Sequence, residues 1–203
     1  MEILSIFKSL SEELNQHKDK LNELDGIIGD ADFGSNITRG FDEVVKKGQT
    51  AFTKDTSLGE DLKATGMTLM IKVGGSSGIL VGKAVMAMGD QVMNKYDVKN
   101  SDVEKMLRAG IAMITRLGKA VPGDKTLLDA LEPACNAFAS AKDNEPLAFN
   151  YAAAAARKGA ESTIEMVSKR GRSSYLGERS KGHMDAGALA VALIFEKLAS
   201  VKV

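Results

Sequence analysis

Three aspartates, Asp25, Asp30 and Asp32, fall within eight residues in the stretch Asp25-Gly26-Ile27-Ile28-Gly29-Asp30-Ala31-Asp32-Phe33-Gly34-Ser35-Asn36. The glycines between them permit tight turns. Converging carboxylates repel one another unless cations neutralise them. Hard oxygen donors suit Mg²⁺ or Ca²⁺. An EF-hand needs a Glu twelve positions into its loop, and counting from Asp30 gives Phe41, so that reading fails. A loop with few protein ligands that feeds a helix suits Mg²⁺ shared with substrate phosphates. Aspartates that only turn the chain or cap a helix fit the same spacing, and the spacing alone leaves both readings open.

Three further stretches carry chemistry. Gly74-Gly75-Ser76-Ser77-Gly78 opens a helix, where bare backbone N–H groups bind phosphate and Ser76 and Ser77 add hydroxyls. Close helix packing is the alternative reading there. Gly118-Lys119-Ala120-Val121-Pro122-Gly123-Asp124-Lys125-Thr126 resembles a phosphate-binding loop superficially. It is not one, because Asp124 separates Gly123 from Lys125 and no strand precedes it. Asp124 or Thr126 as an ordinary helix cap is the competing explanation. The longest stretch, Gly171 to Gly187, lacks apolar periodicity and holds Arg172, Arg179 and Lys181, suited to phosphate charge. Solvated surface charge accounts equally for any one of them alone. His183 near Asp185 suggests an acid–base pair, with local loop hydrogen bonding as the simpler account. His17, among charged residues, reads as exposed. Cys135 and the methionines read as core packing.

The elements between these stretches are helical. Ile3, Phe7, Leu10, Leu14, Leu21 and Leu24 repeat at spacings of three, four and seven. Ser57 with Glu60 and Ser101 with Glu104 read as capping boxes. Ile79 to Met93 carries a helical stripe, and Leu127 to Phe138 follows with Pro133 as a kink or boundary. Glu145-Pro146 opens an alanine-rich helix through Val167, and the last helix runs from about Asp185 to Leu198. The spacing predicts eight helices, no sheet and one domain over residues 1–203. The fold class expected is all-α, an eight-helix antiparallel up-and-down bundle or barrel. The four chemical stretches, residues 25–36, 74–78, 118–126 and 170–187, then occupy alternate connections. They meet at one end of such a barrel and make one composite site.

Composition narrows the partner. The chain has 203 residues, with 27 Lys+Arg balanced by 27 Asp+Glu. A zero net charge excludes broad nucleic-acid binding, which wants a basic excess. Aromatics are 5% and tryptophan is absent, against stacking platforms for bases. The longest apolar run, Ala188 to Phe195, falls far short of the ~20 residues of a membrane span. A single cysteine and an N-terminus unlike a signal peptide point to the cytoplasm. The balance hides a polarised site. Asp25, Asp30 and Asp32 stand against Lys169, Arg170, Arg172, Arg179 and Lys181 less Glu178, a net of plus four.

Together the four stretches resemble the ADP-binding L subunit of dihydroxyacetone kinase, whose domain also forms the C-terminal half of ATP-dependent dihydroxyacetone kinases. The resemblance covers almost the whole chain. Its phrases are Leu24-Asp25 through Asn36, Gly74 to Gly78, Gly123 to Thr126, and Gly171 to Ser180. It implies a barrel with ADP or ATP across one end, held with two Mg²⁺ ions by Asp25, Asp30 and Asp32. It implies phosphate contacts from Gly34, Ser35, Asn36, Ser76 and Ser77, with Phe33 beside them in the cofactor-binding set. Gly118, Leu127, Arg172, Asp185, Ala186 and Gly187 would form the rest of the nucleotide pocket, with Arg172 as the catalytic charge. It implies a K subunit carrying dihydroxyacetone and an M subunit as phosphoryl donor in a chain that starts at phosphoenolpyruvate. A homodimer is compatible with it. A free-standing subunit fits better than the fused enzyme, since nothing K-like is evident.

Three departures stand out. Phe33 occupies the place of a usual His, Met184 that of a Gln and Ala186 that of a Pro. Phenylalanine neither hydrogen-bonds a phosphate nor carries a proton. The departures keep two alternatives in view: a non-catalytic nucleotide-binding regulator, and a kinase subunit for another short ketose such as erythrulose. A helical barrel carrying an apolar ligand is a third.

Overall fold

The computed structural model describes residues 3–141 and 143–201, and all regular structure among them is helical. The reading of the N-terminus begins at Met1 and Glu2, outside the described residues. The α-helices are α1 (Ile3–Gln16), α2 (Lys18–Ile28), α3 (Phe33–Ala51), α4 (Leu58–Lys72), α5 (Gly75–Asp90), α6 (Asn100–Gly118), α7 (Leu128–Ala141), α8 (Glu145–Ser162) and α9 (Ala186–Ser200). Two 3₁₀ stretches, Thr163–Glu165 and Arg172–Ser180, lie between α8 and α9.

The all-α expectation holds, with one more α-helix among the described residues than the periodicity predicts. The apolar repeat over residues 3–24 is split at His17. There the His17 Nδ1–H donates to the Glu13 carbonyl at 3.0 Å, and the His17 backbone N–H falls back on Leu14 O at 3.2 Å. Leu14, Leu21 and Leu24 stay buried on both sides of the break, so the repeat runs through it unmarked.

Three expected boundaries change. Ser57 and Glu60 do form a reciprocal capping box on α4. Ser101 and Glu104 do not cap α6, which begins at Asn100. Asp102 reaches back instead to the Lys99 N–H at 3.3 Å and takes the Lys95 ammonium at 2.6 Å. α7 runs through Pro133 rather than ending there. Proline leaves the carbonyl four residues back without its helical donor, and α8 packs against that spot. A Cβ on Gly159 would lie 2.2 Å from Asp129 O. The alanine-rich helix gives way at Thr163 to a 3₁₀ turn, short of the expected Val167.

Each helix packs on the next, α3 on α1 and α2, then α4, α5, α6, α7, α8 and α9 in turn, and α9 returns to α1 and closes the ring. One core joins Phe7, Leu14, Phe41, Leu69 and Leu193. A second is built on the stripe Ala148, Ala152, Ala156 and Ala160, against which Phe138 and Phe195 pack. α4 and α5 approach closely through facing glycines. A Cβ on Gly66 would lie 2.5 Å from Gly82 O, and one on Gly82 would lie 2.5 Å from Gly66 O. Gly59 and Gly89 repeat that contact one heptad away. These glycines fix how closely α4 and α5 approach, and α5 carries Ser76 and Ser77.

Candidate functional site

Asp25 lies in the last turn of α2, and Asp30 and Asp32 lie in the short link to α3. Each offers a carboxylate oxygen, and these oxygens all lie within 4.8 Å of one another. The link is held by Asp25 itself. Its Oδ2 accepts the N–H of Asp32 at 3.0 Å and of Phe33 at 3.3 Å. Asp25 thus serves the bare N–H groups at the head of α3, while Asp32, at the N-cap position, makes no side-chain cap bond. Gly29 is required for this turn, because a Cβ there would lie 2.3 Å from Asp25 Oδ1. A cap alone needs one carboxylate. Three hard, anionic oxygens drawn together fit a divalent cation.

Arg172 meets this cluster from the far side. Its Nη1 donates to Asp30 Oδ2, and the 172–180 stretch packs on α2. The first and last stretches named by the sequence therefore adjoin. The third stretch is tied to the last as well. The buried Asp124 carboxylate accepts Arg170 Nε at 2.9 Å and Val121 N–H at 3.2 Å, and pairs with Lys169 at 3.6 Å. Burial pushes that carboxyl up, but the Arg170 and Val121 hydrogen bonds and the two cations outweigh it and hold it below its ordinary value. Lys169 and Arg170 are thus occupied with Asp124, and Lys181 pairs with Glu178 at 3.0 Å. Of the basic residues counted around this stretch, Arg172 is the one that reaches the aspartates.

The first stretch is tied to the second through Arg39. Arg39 donates to Asn36 Oδ1 at 2.7 Å, to Lys72 O at 2.8 Å and to Val73 O at 3.2 Å, so it clamps α3 to the end of α4 just before Gly74. Asn22 of α2 accepts the Ser35 N–H and donates to Ser35 Oγ, both at 2.9 Å. Neither Arg39 nor Asn22 stands out in the sequence, where each sits on a helix with no motif around it. Ser76 is exposed and Ser77 half-buried in the first turn of α5, after Gly74 and Gly75 with φ of 76° and 58°.

The remaining expected residues divide. Gly187 lies beside Leu127 and Asp185: a Cβ on it would be 3.3 Å from Leu127 Cβ and 3.1 Å from Asp185 Oδ2. Gly118 ends α6 facing Leu80, at the rim between the second and third stretches. Gly34 is buried, with its Cα against Lys18 O. Ala186 is buried in the main core, and Phe33 is half-buried and packs on that core. Asp185 caps α9 through the Ala188 N–H at 2.8 Å rather than pairing with His183. Burial raises its carboxyl to about 6, against the lowering effect of that N–H and of Lys125, while Asp129 and Asp25 add to the rise. Thr126 Oγ1 accepts the Leu128 N–H at 3.2 Å at the head of α7, and Thr126 is itself held from the helix. Asp129 takes its N–H at 2.7 Å and that of Gly123 at 2.5 Å.

A closed ring of antiparallel helices, with a carboxylate cluster and an arginine among four joined connections at one end, defines the class: an α-helical barrel with its polar site at the rim. Residues 27–200 match the DAK2 domain model, and the chain belongs to that family. It is 40% identical over 182 residues to the PEP-dependent dihydroxyacetone kinase, ADP-binding subunit DhaL, of Escherichia coli, covering 88% of this chain and 86% of that one. It is 38% identical over 194 residues to the corresponding subunit of kinase 1 from Listeria innocua, covering 95% and 91%. The solved dihydroxyacetone kinase from C. freundii, in complex with AMP-PNP and Mg²⁺, shares the fold with a TM-score of 0.79 at 28% identity. The match covers 98% of this chain and 33% of that one, so the chain spans about a third of that enzyme's length.

Proposed function

We propose that this chain is the ADP-binding, phosphoryl-transferring subunit of a phosphoenolpyruvate-dependent dihydroxyacetone kinase, formed by one domain over residues 1–203. It takes a phosphoryl group from an M subunit onto bound ADP and passes it to dihydroxyacetone held on a K subunit. The observation that carries this reading is the cluster of Asp25, Asp30 and Asp32, with ligand oxygens within 4.8 Å of one another and Arg172 against Asp30.

Phosphoryl transfer asks a protein for charge neutralisation and positioning more than for covalent chemistry. The three aspartates would hold two Mg²⁺ ions, which supply the neutralisation of phosphate charge when bound. Arg172 supplies a cation at the same place. Ser76 and Ser77, at the head of α5, offer hydroxyls beside bare helix N–H groups. Ser35 keeps its hydroxyl proton free, because Oγ accepts from Asn22. Asn36 keeps its amide N–H₂, because Arg39 binds its carbonyl oxygen. Gly34 and Ala186 serve through backbone only. Gly118, Leu127, Asp185 and Gly187 line the side toward the nucleoside, where the bare Cα of Gly187 leaves room beside Leu127. No general base is assigned here, since activation of the acceptor sugar falls to the K subunit.

Native mass spectrometry of the purified chain, with and without a chelator, tests the reading. One ADP and two Mg²⁺ per chain, both lost with chelator, are expected, and the same spectrum distinguishes monomer from homodimer. A chain that holds no nucleotide, and gives no heat with ADP and Mg²⁺, overturns it.

Phe33 favours a second reading. It packs on the core where a phosphate-binding group is usual, which suits a nucleotide-binding regulator that transfers nothing. Turnover on mixing with K and M subunits, on dihydroxyacetone or on erythrulose, excludes the regulator and identifies the sugar.

A further inference from the structure

Lys125 is the largest fully buried side chain among the described residues, at 1% exposure. Its backbone sits at φ 60°, a conformation that non-glycine residues seldom adopt. Its Nζ donates to Thr163 O and to His183 O, both at 2.5 Å. Those two carbonyls stand at opposite ends of the segment that carries Arg172. Burial lowers its proton affinity, and outweighs Asp185, Glu165 and Asp129 nearby, which favour its charge. A lysine held this way does not reach a phosphate at the rim. Its chemistry faces inward.

The same segment is closed by other bonds at its base. Gly182 N–H donates to Ile164 O at 2.8 Å, and Asp185 N–H to Thr163 Oγ1 at 3.0 Å. Its first half is fastened to the preceding residue through Lys169 N–H to Asp124 O at 3.1 Å and Arg170 to the Asp124 carboxylate. Residues 163–183 thus form a closed loop tied at its base to the 123–126 turn. Arg172, near the middle, touches Asp30.

We propose that Lys125 is a positioning residue. Its buried ammonium locks the two ends of the 163–183 loop together and so sets Arg172 against the aspartate cluster. Without the ammonium, the buried Thr163 carbonyl keeps only the Met166 N–H at 3.2 Å and the partly buried His183 carbonyl loses its lysine donor, and an under-satisfied buried acceptor is costly. The loop then opens at its base, and Arg172 loses its fixed place while the helical ring stays closed. This deepens the function proposed above and rests on it for the role of Arg172, but the closure of the loop does not.

The test is a double-mutant cycle of Lys125→Met and Arg172→Ala, read by ADP affinity with Mg²⁺, beside amide exchange of the ligand-free protein. Exchange in residues 166–182 is expected to rise roughly tenfold or more in Lys125→Met, with α1 to α5 unchanged. ADP affinity is expected to fall about tenfold in each single variant and little further in the double, since both remove the same contact. Additive losses, or exchange unchanged in 166–182, overturn the proposal. Should the wild type not bind ADP at all, the exchange result still decides the loop closure, while the function fails separately. If Lys125→Met does not fold, Lys125→Gln, neutral and one bond too short to span both carbonyls, carries the cycle. A Gln variant that is also unfolded makes Lys125 a folding residue and overturns the positioning role.

Discussion

Arg172 reaches Asp30 across 142 positions of sequence, and that contact joins a cation from the last long connection to the carboxylates of the first. An arginine at a phosphoryl-transfer centre is worth about 10³–10⁵ in turnover where it meets the charge that develops. Arg172→Ala is therefore expected to lower turnover with K and M subunits by about 10³-fold, with helix content unchanged by circular dichroism. Arg172→Lys restores little, because an ammonium lacks the planar fork. A steady-state assay that finds Arg172→Ala within a few fold of wild type removes this role.

The three aspartates separate by a second property, because Asp25 also holds the turn. Asp32→Asn keeps that turn and removes only a charge from the cluster. It is expected to abolish Mg²⁺-dependent ADP binding by calorimetry while leaving the melting temperature in place. Asp25→Ala removes both a carboxylate of the proposed metal cluster and the acceptor for the Asp32 and Phe33 N–H groups. It is expected to lose binding and also about 1 kcal/mol of stability, the usual cost of a lost helix cap. Equal melting temperatures for the two variants would mean that Asp25 does not hold the head of α3.

The α4–α5 contact has a mechanical consequence. A methyl group on Gly66 would stand 2.5 Å from Gly82 O, closer than any relaxed contact. Gly66→Ala is expected to cost about 1–3 kcal/mol, as overpacking in a rigid interior does, which lowers the melting temperature by roughly 3–10 °C. Since α5 carries Ser76 and Ser77, ADP affinity falls with it. A thermal melt that shows no loss would place the strain elsewhere.

How much of this was legible in the sequence depended on whether a residue's type fixed its direction. Asp25, Asp30 and Asp32 were legible because three nearby carboxylates on a short link have little room to point apart. The meeting of four connections at one end followed from helix parity alone, and the break at His17 did not disturb it because α2 continues past the break. Lys125 was not legible. Its stretch has only a superficial likeness to a phosphate-binding loop and reads otherwise as a helix cap at Asp124 or Thr126, and only the fold shows the chain turning Lys125 inward at φ 60°. Lys169 and Arg170 read as free charge because their partner, Asp124, is distant in sequence and buried. The glycines of α4 and α5 gave no signal, since close approach needs both helices in place. Asp102 displaced the expected Ser101–Glu104 box because Lys95, outside the helix, draws its carboxylate.

Asp185 gives stability a pH dependence whose sign can be worked out. Its carboxyl is raised from 3.8 to about 6 in the folded chain, chiefly by burial. Between those values the folded state binds a proton that the unfolded state has released. Stability from this group therefore falls as pH rises from about 4 to about 6, and levels off above the folded value. Asp185→Asn keeps an oxygen to accept the Ala188 N–H, so α9 stays capped. The variant is expected to flatten the pH dependence of denaturant midpoint between pH 4 and pH 7, and to gain on the wild type toward neutral pH. Lys125, Asp129 and Asp25 face the same carboxyl and remain in the variant, so any slope they contribute persists. Chemical denaturation of the ligand-free protein at a series of pH values decides it. Parallel curves for the two proteins would show that Asp185 keeps an ordinary carboxyl.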